Sequence, residues 1–249
     1  MPRIFGNLKR FKVITMKKAL RLAVVLLIFS LLLSMPAFAT GKEEPVLLTG
    51  QGDKFDTNPV YTPKNIGFPD VSVTDWFYDA VQYVSTNGVM IGVDTGEFAP
   101  DAQMTRAMVV TVLARLSNAD INTVTESGFE DVPFDSWHGK YVGWAKQNGI
   151  VNGTSPTTFC PEDTVTREQV CVMLSNFLDL HNLSTSNVPR PSFADEADIS
   201  YWAKLAVLRL QYAGIINGRG DNNFSPKDST TRAEFAQIVT NSNLASIIK

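Results

Sequence analysis

The sequence predicts an all-α fold of three helix–loop–helix repeats packed around a pseudo-threefold axis. Three observations support this fold class: landmark residues recur three times at fixed spacing, apolar residues in each copy follow a helical period, and one copy is too small to bury a core alone. Repeat units of this kind become stable only beside their neighbours. We therefore expect one structural domain, with repeat 1 at residues 68–126, repeat 2 at 127–190 and repeat 3 at 191–249.

Each repeat contains the same landmarks in the same order. Trp76 and Arg106 of repeat 1 both recur 61 residues later in repeat 2, and both copies recur 65 residues later in repeat 3. Constant offsets with no gap inside the unit make chance similarity an inadequate explanation. The landmarks are an Asp two residues after a Phe (Asp70, Asp131, Asp195), a Trp (Trp76, Trp137, Trp202), a loop Gly (Gly92, Gly153, Gly218), a Phe-x-Pro motif, and a Thr-Arg pair (Arg106, Arg167, Arg232).

Two helices are predicted in each repeat, one on either side of a loop. Apolar residues stand at positions i, i+4, i+5 and i+8 from Trp76, which is one face of a helix, and Gly88 is suited to end that helix in the left-handed conformation. The second helix is predicted from the Thr-Arg pair onward, because Thr followed three residues later by Glu or Gln forms a capping box. Met108 stands at that third position in repeat 1, so its capping box is expected to be incomplete.

The first 39 residues are predicted to be a secretory signal peptide. A basic region at residues 16–18 precedes an apolar run at 19–33 and the cleavage motif Ala37-Phe38-Ala39. Residues 1–15 precede a second Met with its own basic region and are compatible with an upstream start-site extension. A membrane anchor is the alternative, although the run is at the short end of the ~17–25 residues that span a bilayer. Residues 40–67, rich in Gly, Pro, Asp and Asn, are interpreted as a linker.

Removal of the signal peptide changes the charge of the chain. The leader holds seven of the 22 basic residues and none of the 25 acidic ones, so 15 basic residues remain and the formal charge becomes −10. Such a field repels nucleic acid and anionic membranes. We therefore expect no nucleic-acid partner, and no membrane partner once the signal is removed.

The arginine of the Thr-Arg pair is not explained by the helix start. Arg106, Arg167 and Arg232 each fall in a first helical turn, where the helix dipole mildly disfavours a cation. Three such arginines beside the free N–H groups of helix starts predict a repeated anion site. The alternative is a structural arginine, exposed or paired with a landmark Asp.

The combined motifs F-x-D-V, W, N-G-[IV]-x-x-G, F-x-P and T-R-[AE]-[EQ] resemble the S-layer homology family from Phe68 to about Asn243. Members anchor exported proteins to bacterial cell walls. The resemblance implies a three-lobed helical fold whose grooves bind secondary cell-wall polysaccharide, in many members through a ketal-pyruvylated sugar. It implies that the motif arginine meets the acidic group, and that the protein is exported to the cell wall, S-layer or cell surface.

Four sets of landmarks are the predicted ligand-binding residues, and each has a structural alternative. The tryptophans could instead be core residues, the aspartates helix or turn caps for the first helix, and the glycines tight turns. Met108 and the loop residue Arg219, which replaces Val93 and Thr154, suggest unequal grooves, with that of Arg106 the weakest candidate. The predicted ligand-binding residues are Arg106, Arg167, Arg232, Trp76, Trp137, Trp202, Asp70, Asp131, Asp195, Gly92, Gly153 and Gly218.

The sequence contains no recognisable signature of catalysis. It lacks a nucleophile–base motif, a paired-carboxylate motif and a cofactor-binding loop, so we expect neither an enzyme nor a cofactor. No calcium-loop or zinc motif is present, so no metal is expected. Cys160 and Cys171 do not make a disulfide framework, and unpaired thiols are the favoured interpretation. The alternative function is structural: the repeats would serve in self-assembly or dock an unknown surface protein.

Overall fold

Helices make up the regular secondary structure of the computed structural model, which describes residues 67–185 and 188–244. Short 3₁₀ turns lie at Ile121–Thr123 and Glu196–Asp198. The predicted signal peptide at 1–39 and the predicted linker, apart from Gly67, lie outside the described residues. The helices of the described part are α1 (Tyr78–Thr86), α2 (Arg106–Leu116), α3 (Gly139–Gln147), α4 (Arg167–Leu180), α5 (Lys204–Tyr212) and α6 (Arg232–Ser242).

The first helix of each repeat ends as predicted but begins later. Gly88, Gly149 and Gly214 follow α1, α3 and α5 with φ of 66°, 69° and 74°, a left-handed conformation that glycine adopts without strain. Each landmark Trp precedes its helix by two residues and does not belong to its buried face. In the part of the chain that the structure describes, no helix is both long and apolar enough to span a bilayer.

The second helix of each repeat begins at the predicted Thr-Arg pair. Thr166 and Thr231 form complete capping boxes with Gln169 and Glu234, respectively. The Thr105 side chain accepts the N–H of Met108, but the Met108 side chain has no oxygen that could accept the N–H of Thr105 in return. The incomplete box of repeat 1 is therefore confirmed.

The helices pair between repeats. The second helix of one repeat packs against the first helix of the next: α2 against α3, α4 against α5, and α6 against α1. The last of these pairs joins repeat 3 to repeat 1 and closes the circle. The buried apolar residues of the three helix pairs form one continuous core, so no repeat has a core of its own.

Three short backbone segments meet at the centre and define the pseudo-threefold axis. The N–H of Met104 donates to the carbonyl of Thr230 (2.9 Å), the N–H of Thr230 to that of Val165 (3.0 Å), and the N–H of Val165 to that of Met104 (3.0 Å). All three residues are fully buried. Each repeat thus donates one central hydrogen bond and accepts another. The predicted all-α fold of three repeats is confirmed.

Candidate functional site

The three motif arginines join neighbouring repeats. Each is buried, and each Nε donates to the carbonyl oxygen of the Phe in the next repeat's Phe-x-Pro motif: 2.7 Å for Arg106 to Phe159, 2.8 Å for Arg167 to Phe224 and 2.8 Å for Arg232 to Phe98. The guanidinium also lies over the ring of the same Phe, at 4.7, 5.1 and 4.8 Å. Together, the three contacts run around the circle of repeats.

Burial changes the acidity of these groups without discharging them. Desolvation lowers the pKa of all three guanidinium groups, to about 10 for Arg232. That value is still well above neutral pH. Because guanidinium groups are effectively always protonated in proteins, the three arginines are cations, and a buried cation attracts an anion more strongly than a solvated one.

The backbone N–H groups at the starts of α2, α4 and α6 are occupied. The backbone N–H of Arg106 donates to the carbonyl oxygen of Asp163 (3.0 Å), and that of Ala107 donates to the carbonyl oxygen of Pro161 (2.9 Å). The same pair of bonds recurs where α4 meets repeat 3 and where α6 meets repeat 1. The prediction that free helix N–H groups add donors for an anion is wrong, since loop carbonyls of the next repeat accept them.

The terminal nitrogens distinguish Arg106 from the other two arginines. Nη2 of Arg167 donates to Asn217 O (3.0 Å), and its Nη1 lies 3.8 Å from Glu234 Oε1. Nη2 of Arg232 donates to Ile91 O (2.8 Å). Neither Nη of Arg106 has a hydrogen-bond acceptor among the described residues, although the residue is only 5% exposed.

An open groove adjoins Arg106. Its cavity of about 600 Å³ is formed by Arg106 of repeat 1, the loop at 150–154 and one face of α4 in repeat 2, and Trp202 of repeat 3. Three of the predicted ligand-binding residues, Arg106, Gly153 and Trp202, therefore meet in one place. The lining also contains Asn152 and Gln169, whose neutral amides add hydrogen-bonding capacity without a negative charge.

The other two motif arginines have different surroundings. Arg167 faces Glu234, which is in turn held by Arg219. Arg232 borders a cavity of about 10 Å³, lined by Met108 and other residues. The three grooves are therefore unequal, as expected, but the geometry favours the groove of Arg106, which the sequence had made the weakest candidate.

Two of the landmark tryptophans are surface residues. Trp76 is 64% exposed and Trp202 56% exposed, so the alternative that these residues belong to the core is wrong. Trp137 is half-buried and packs edge-to-face with His138 at 5.0 Å. Of the three, Trp202 is the one that lines the open groove.

The landmark aspartates hold the Phe-x-Pro loops. The carboxylate of Asp131 accepts the N–H groups of Phe159 (2.8 Å) and Cys160 (2.6 Å). Asp70 and Asp195 make the same two bonds in repeats 1 and 3. The middle residue of each loop has a φ of 56°, which is unfavourable for a residue other than glycine. The aspartates thus stabilise strained loops, and the alternative that they cap the first helix is wrong.

The loop glycines lie in tight backbone contacts. A Cβ on Gly153 would stand 2.5 Å from the carbonyl oxygens of Ser155 and Thr158, and its φ is +86°. A Cβ on Gly92 or Gly218 would meet a loop carbonyl at 2.8 or 2.9 Å. These contacts favour a role of the glycines in forming tight turns over a role in which their backbone N–H groups donate to a ligand.

Comparison with known proteins follows the same division into three repeats. The family model of the S-layer homology domain matches the sequence at residues 67–107, 128–171 and 192–236, together more than half of the chain. The chain belongs to the S-layer homology domain family. This membership gives it a location at the cell surface or in the S-layer.

Relatives of this S-layer homology chain are much longer proteins. It is 30% identical to "Exoglucanase XynX" of Acetivibrio thermocellus over 71% of its length and 16% of that protein. It is 29% identical to "S-layer protein sap" of Bacillus anthracis over 69% of its length and 20% of that protein. It is 29% identical to the "Surface-layer 125 kDa protein" of Lysinibacillus sphaericus over 67% of its length and 14% of that protein. The chain thus spans a fifth or less of these relatives.

Sequence reasoning identified two positions that make the grooves unequal but not how they lie in space. One follows the loop glycine and is occupied by Val93, Thr154 or Arg219; the other is the third helical residue, Met108, Gln169 or Glu234. Both substitutions were visible in the repeat alignment. What the alignment lacks is that the two positions face each other across a groove.

Other predicted chemistry concerns metals and thiols. No group of three or more His, Cys, Asp or Glu residues that could hold a metal occurs within residues 67–185 and 188–244. Cys160 and Cys171 are both free thiols. Burial raises the pKa of Cys171 to about 12, so this thiol is chemically inert at neutral pH.

Proposed function

We propose that this S-layer homology domain is non-catalytic and binds an acidic secondary cell-wall polysaccharide, attaching the protein to the bacterial surface. The observation that carries the proposal is the pair of Nη groups of Arg106 that have no acceptor within residues 67–185 and 188–244 and that border an open groove. A sugar carrying a pyruvate ketal would present a carboxylate to them. The named relatives include surface-layer proteins and an exoglucanase, which suits a tethering domain joined to different proteins.

The chemistry of the groove suits a carboxylate. A guanidinium offers two parallel N–H donors that match the two carboxylate oxygens. Nε of Arg106 is fixed on Phe159 O, so the Nη donors are held in place before the ligand arrives. Charge-assisted hydrogen bonds contribute about 1.5–3 kcal/mol each, which is enough for one carboxylate to dominate recognition.

The remainder of the groove suits a sugar ring. Trp202, a residue that is 56% exposed, offers an aromatic face against which the C–H face of a pyranose could pack. Asn152 and Gln169 can donate to or accept from ring hydroxyls. The combination of one cation, one aromatic face and neutral amides fits an acidic glycan better than a peptide or a nucleic acid.

A pull-down with purified wall sacculi tests this function. We expect the protein to bind intact sacculi and to lose binding when the non-peptidoglycan polysaccharide has been removed. Arg106→Gln should weaken binding by about a hundredfold or more, because two charge-assisted bonds of about 1.5 kcal/mol or more each are lost. Lys140→Gln removes the same charge away from the groove and is the matched control. Binding that survives polysaccharide removal would contradict the proposal.

One observation favours self-assembly as a second candidate. Tyr201, three residues before α5, is 92% exposed, and Leu205 and Leu208 on α5 are 82% and 42% exposed. Their spacing of four and three residues predicts an apolar stripe. Sedimentation of the wild type beside Leu205→Lys tests it: self-assembly predicts a dimer that the variant dissociates, and a wild-type monomer at high micromolar concentration excludes it. The equivalent positions are Asp75, Asp79 and Gln82 in repeat 1, and Ser136, Lys140 and Gly143 in repeat 2.

A further inference from the structure

The groove built on Arg167 differs from that built on Arg106 at two facing positions. Thr154 in the open groove corresponds to Arg219, and Gln169 corresponds to Glu234. These replacements put one extra cation and one extra anion into the second groove. Their contacts determine whether the groove can accept a ligand.

Arg219 and Glu234 form a two-bonded ion pair. Nε of Arg219 donates to Oε1 of Glu234 and Nη2 donates to Oε2, both at 2.6 Å. Arg219 is held further by Asp228 Oδ2 at 2.9 Å and by Ser229 O at 2.7 Å. The paired geometry is the one by which a guanidinium binds any carboxylate.

Glu234 is also presented to Arg167. Its Oε1 lies 3.8 Å from Arg167 Nη1, and its side chain is only 17% exposed. Burial on its own would raise the pKa of this carboxyl group, but hydrogen bonds from Arg219 and the N–H of Thr231, with the charge of Arg167, lower the pKa overall. The carboxylate is therefore charged at neutral pH and faces the arginine that a ligand carboxylate would need.

We propose that Glu234, held by Arg219, occupies the groove of Arg167 as an internal carboxylate, so that one of the three grooves, that of Arg106, is open to an acidic glycan. This inference rests on the proposed function. A ligand carboxylate at Arg167 would have to displace a tethered competitor and would be repelled by it. At Arg106 it meets Gln169, which has no charge.

The third groove is closed in a different way. Nη2 of Arg232 donates to Ile91 O at 2.8 Å, and the adjoining cavity is about 10 Å³. Met108 stands there in place of Gln169 and lines that cavity. A space of that size holds about one water molecule and no sugar.

Exchange of residues between grooves tests the inference. The probe is a synthetic monosaccharide carrying a pyruvate ketal, titrated calorimetrically, with the same sugar lacking the ketal as control. We expect one site in the wild type. Arg219→Thr combined with Glu234→Gln copies the open groove into repeat 3 and should raise the number of sites to two. Gln169 completes a capping box with Thr166, so Gln at 234 should keep the start of α6 intact.

A reciprocal variant covers the case in which the first one fails to fold. Thr154→Arg combined with Gln169→Glu copies the closed groove into repeat 2 and should abolish the wild-type site while Arg106 is still present. A wild type with two or more sites, a folded first variant that still has one, or a reciprocal variant that binds normally overturns the inference and leaves the proposed function standing. A wild type that binds the ketal sugar no better than the control overturns both.

Discussion

The groove of Arg106 and the groove of Arg167 are built from the same motif but use it differently. Both arginines join two repeats through Nε and the Phe ring of the next Phe-x-Pro motif. At Arg167 the terminal nitrogens also have protein partners, whereas at Arg106 they have none among the described residues. The neighbours of the motif arginine therefore decide whether the protein itself binds the terminal nitrogens, and under the proposed function they decide whether a ligand can reach them.

Removal of the two arginines should separate these roles most clearly. Arg167→Ala leaves Phe224 O and Asn217 O without donors and Glu234 without a second cation, so we expect a loss of about 3–5 kcal/mol of stability. Arg106→Ala removes one hydrogen bond and a ring contact, and should cost about 2 kcal/mol. Urea unfolding of both variants measures the difference. Equal losses would contradict the distinction between the two grooves.

The landmark aspartates Asp131 and Asp195 should contribute equally to stability but unequally to binding. Asp131→Ala and Asp195→Ala each remove two N–H bonds from a strained loop and should destabilise by about 2–4 kcal/mol. Only Asp131→Ala should weaken sacculus binding, because its loop carries the carbonyl that fixes Arg106. Asp135→Ala, at an exposed position, is the control. A similar binding loss in both variants would mean that the grooves do not differ in function.

The loop glycines offer a smaller contrast. Gly153→Ala places a side chain at φ +86° and should cost about 2–3 kcal/mol and distort the open groove. Gly218→Ala makes one close contact, with Asn223 O at 2.9 Å, and should cost only about 1 kcal/mol. Thermal melts give the stability difference and sacculus pull-down gives the binding difference. If Gly218→Ala proved the more harmful, the loop of the open groove would not be the more constrained one.

Acid should weaken the joint between repeats 2 and 3 selectively. The folded-state pKa of Glu234 is lowered, so its contribution to stability is complete above the unfolded value of about 4.3 and is lost as pH falls through the folded value. Gln169, at the equivalent position, does not titrate. Glu234→Gln should therefore flatten the fall in urea midpoint below about pH 5. If the urea midpoint of the variant fell with pH as steeply as that of the wild type, the acid sensitivity would come from other carboxylates.

How much of the fold and of the candidate site could be predicted from sequence depends on how far apart the interacting residues lie along the chain. The starts of α2, α4 and α6 and the glycine ends of α1, α3 and α5 follow from bonds between residues a few positions apart, and these were predicted correctly. The packing of the second helix of one repeat against the first helix of the next could not be predicted. Periodicity indicates which face of a helix is buried but not which helix covers that face. Arg106 was singled out, yet Phe159 O, its acceptor, lies 53 residues away, and the exposure of Trp202 depends on the same long-range packing.

The axis, which all three repeats share, provides the smallest effect and a test that should leave both grooves unchanged. Thr230 Oγ1 is buried there without a hydrogen-bond partner, at the place that Met104 and Val165 take in the other repeats. A buried hydroxyl without a partner is unfavourable, so Thr230→Val should stabilise the fold by about 1 kcal/mol. Thr111→Val is the matched control and should destabilise, since that hydroxyl donates to Ala107 O at 2.9 Å. Urea midpoints and sacculus binding check both variants. A stabilised Thr230→Val protein with unchanged binding would mean that the grooves differ through their own residues, whereas altered binding would mean that the axis sets their geometry.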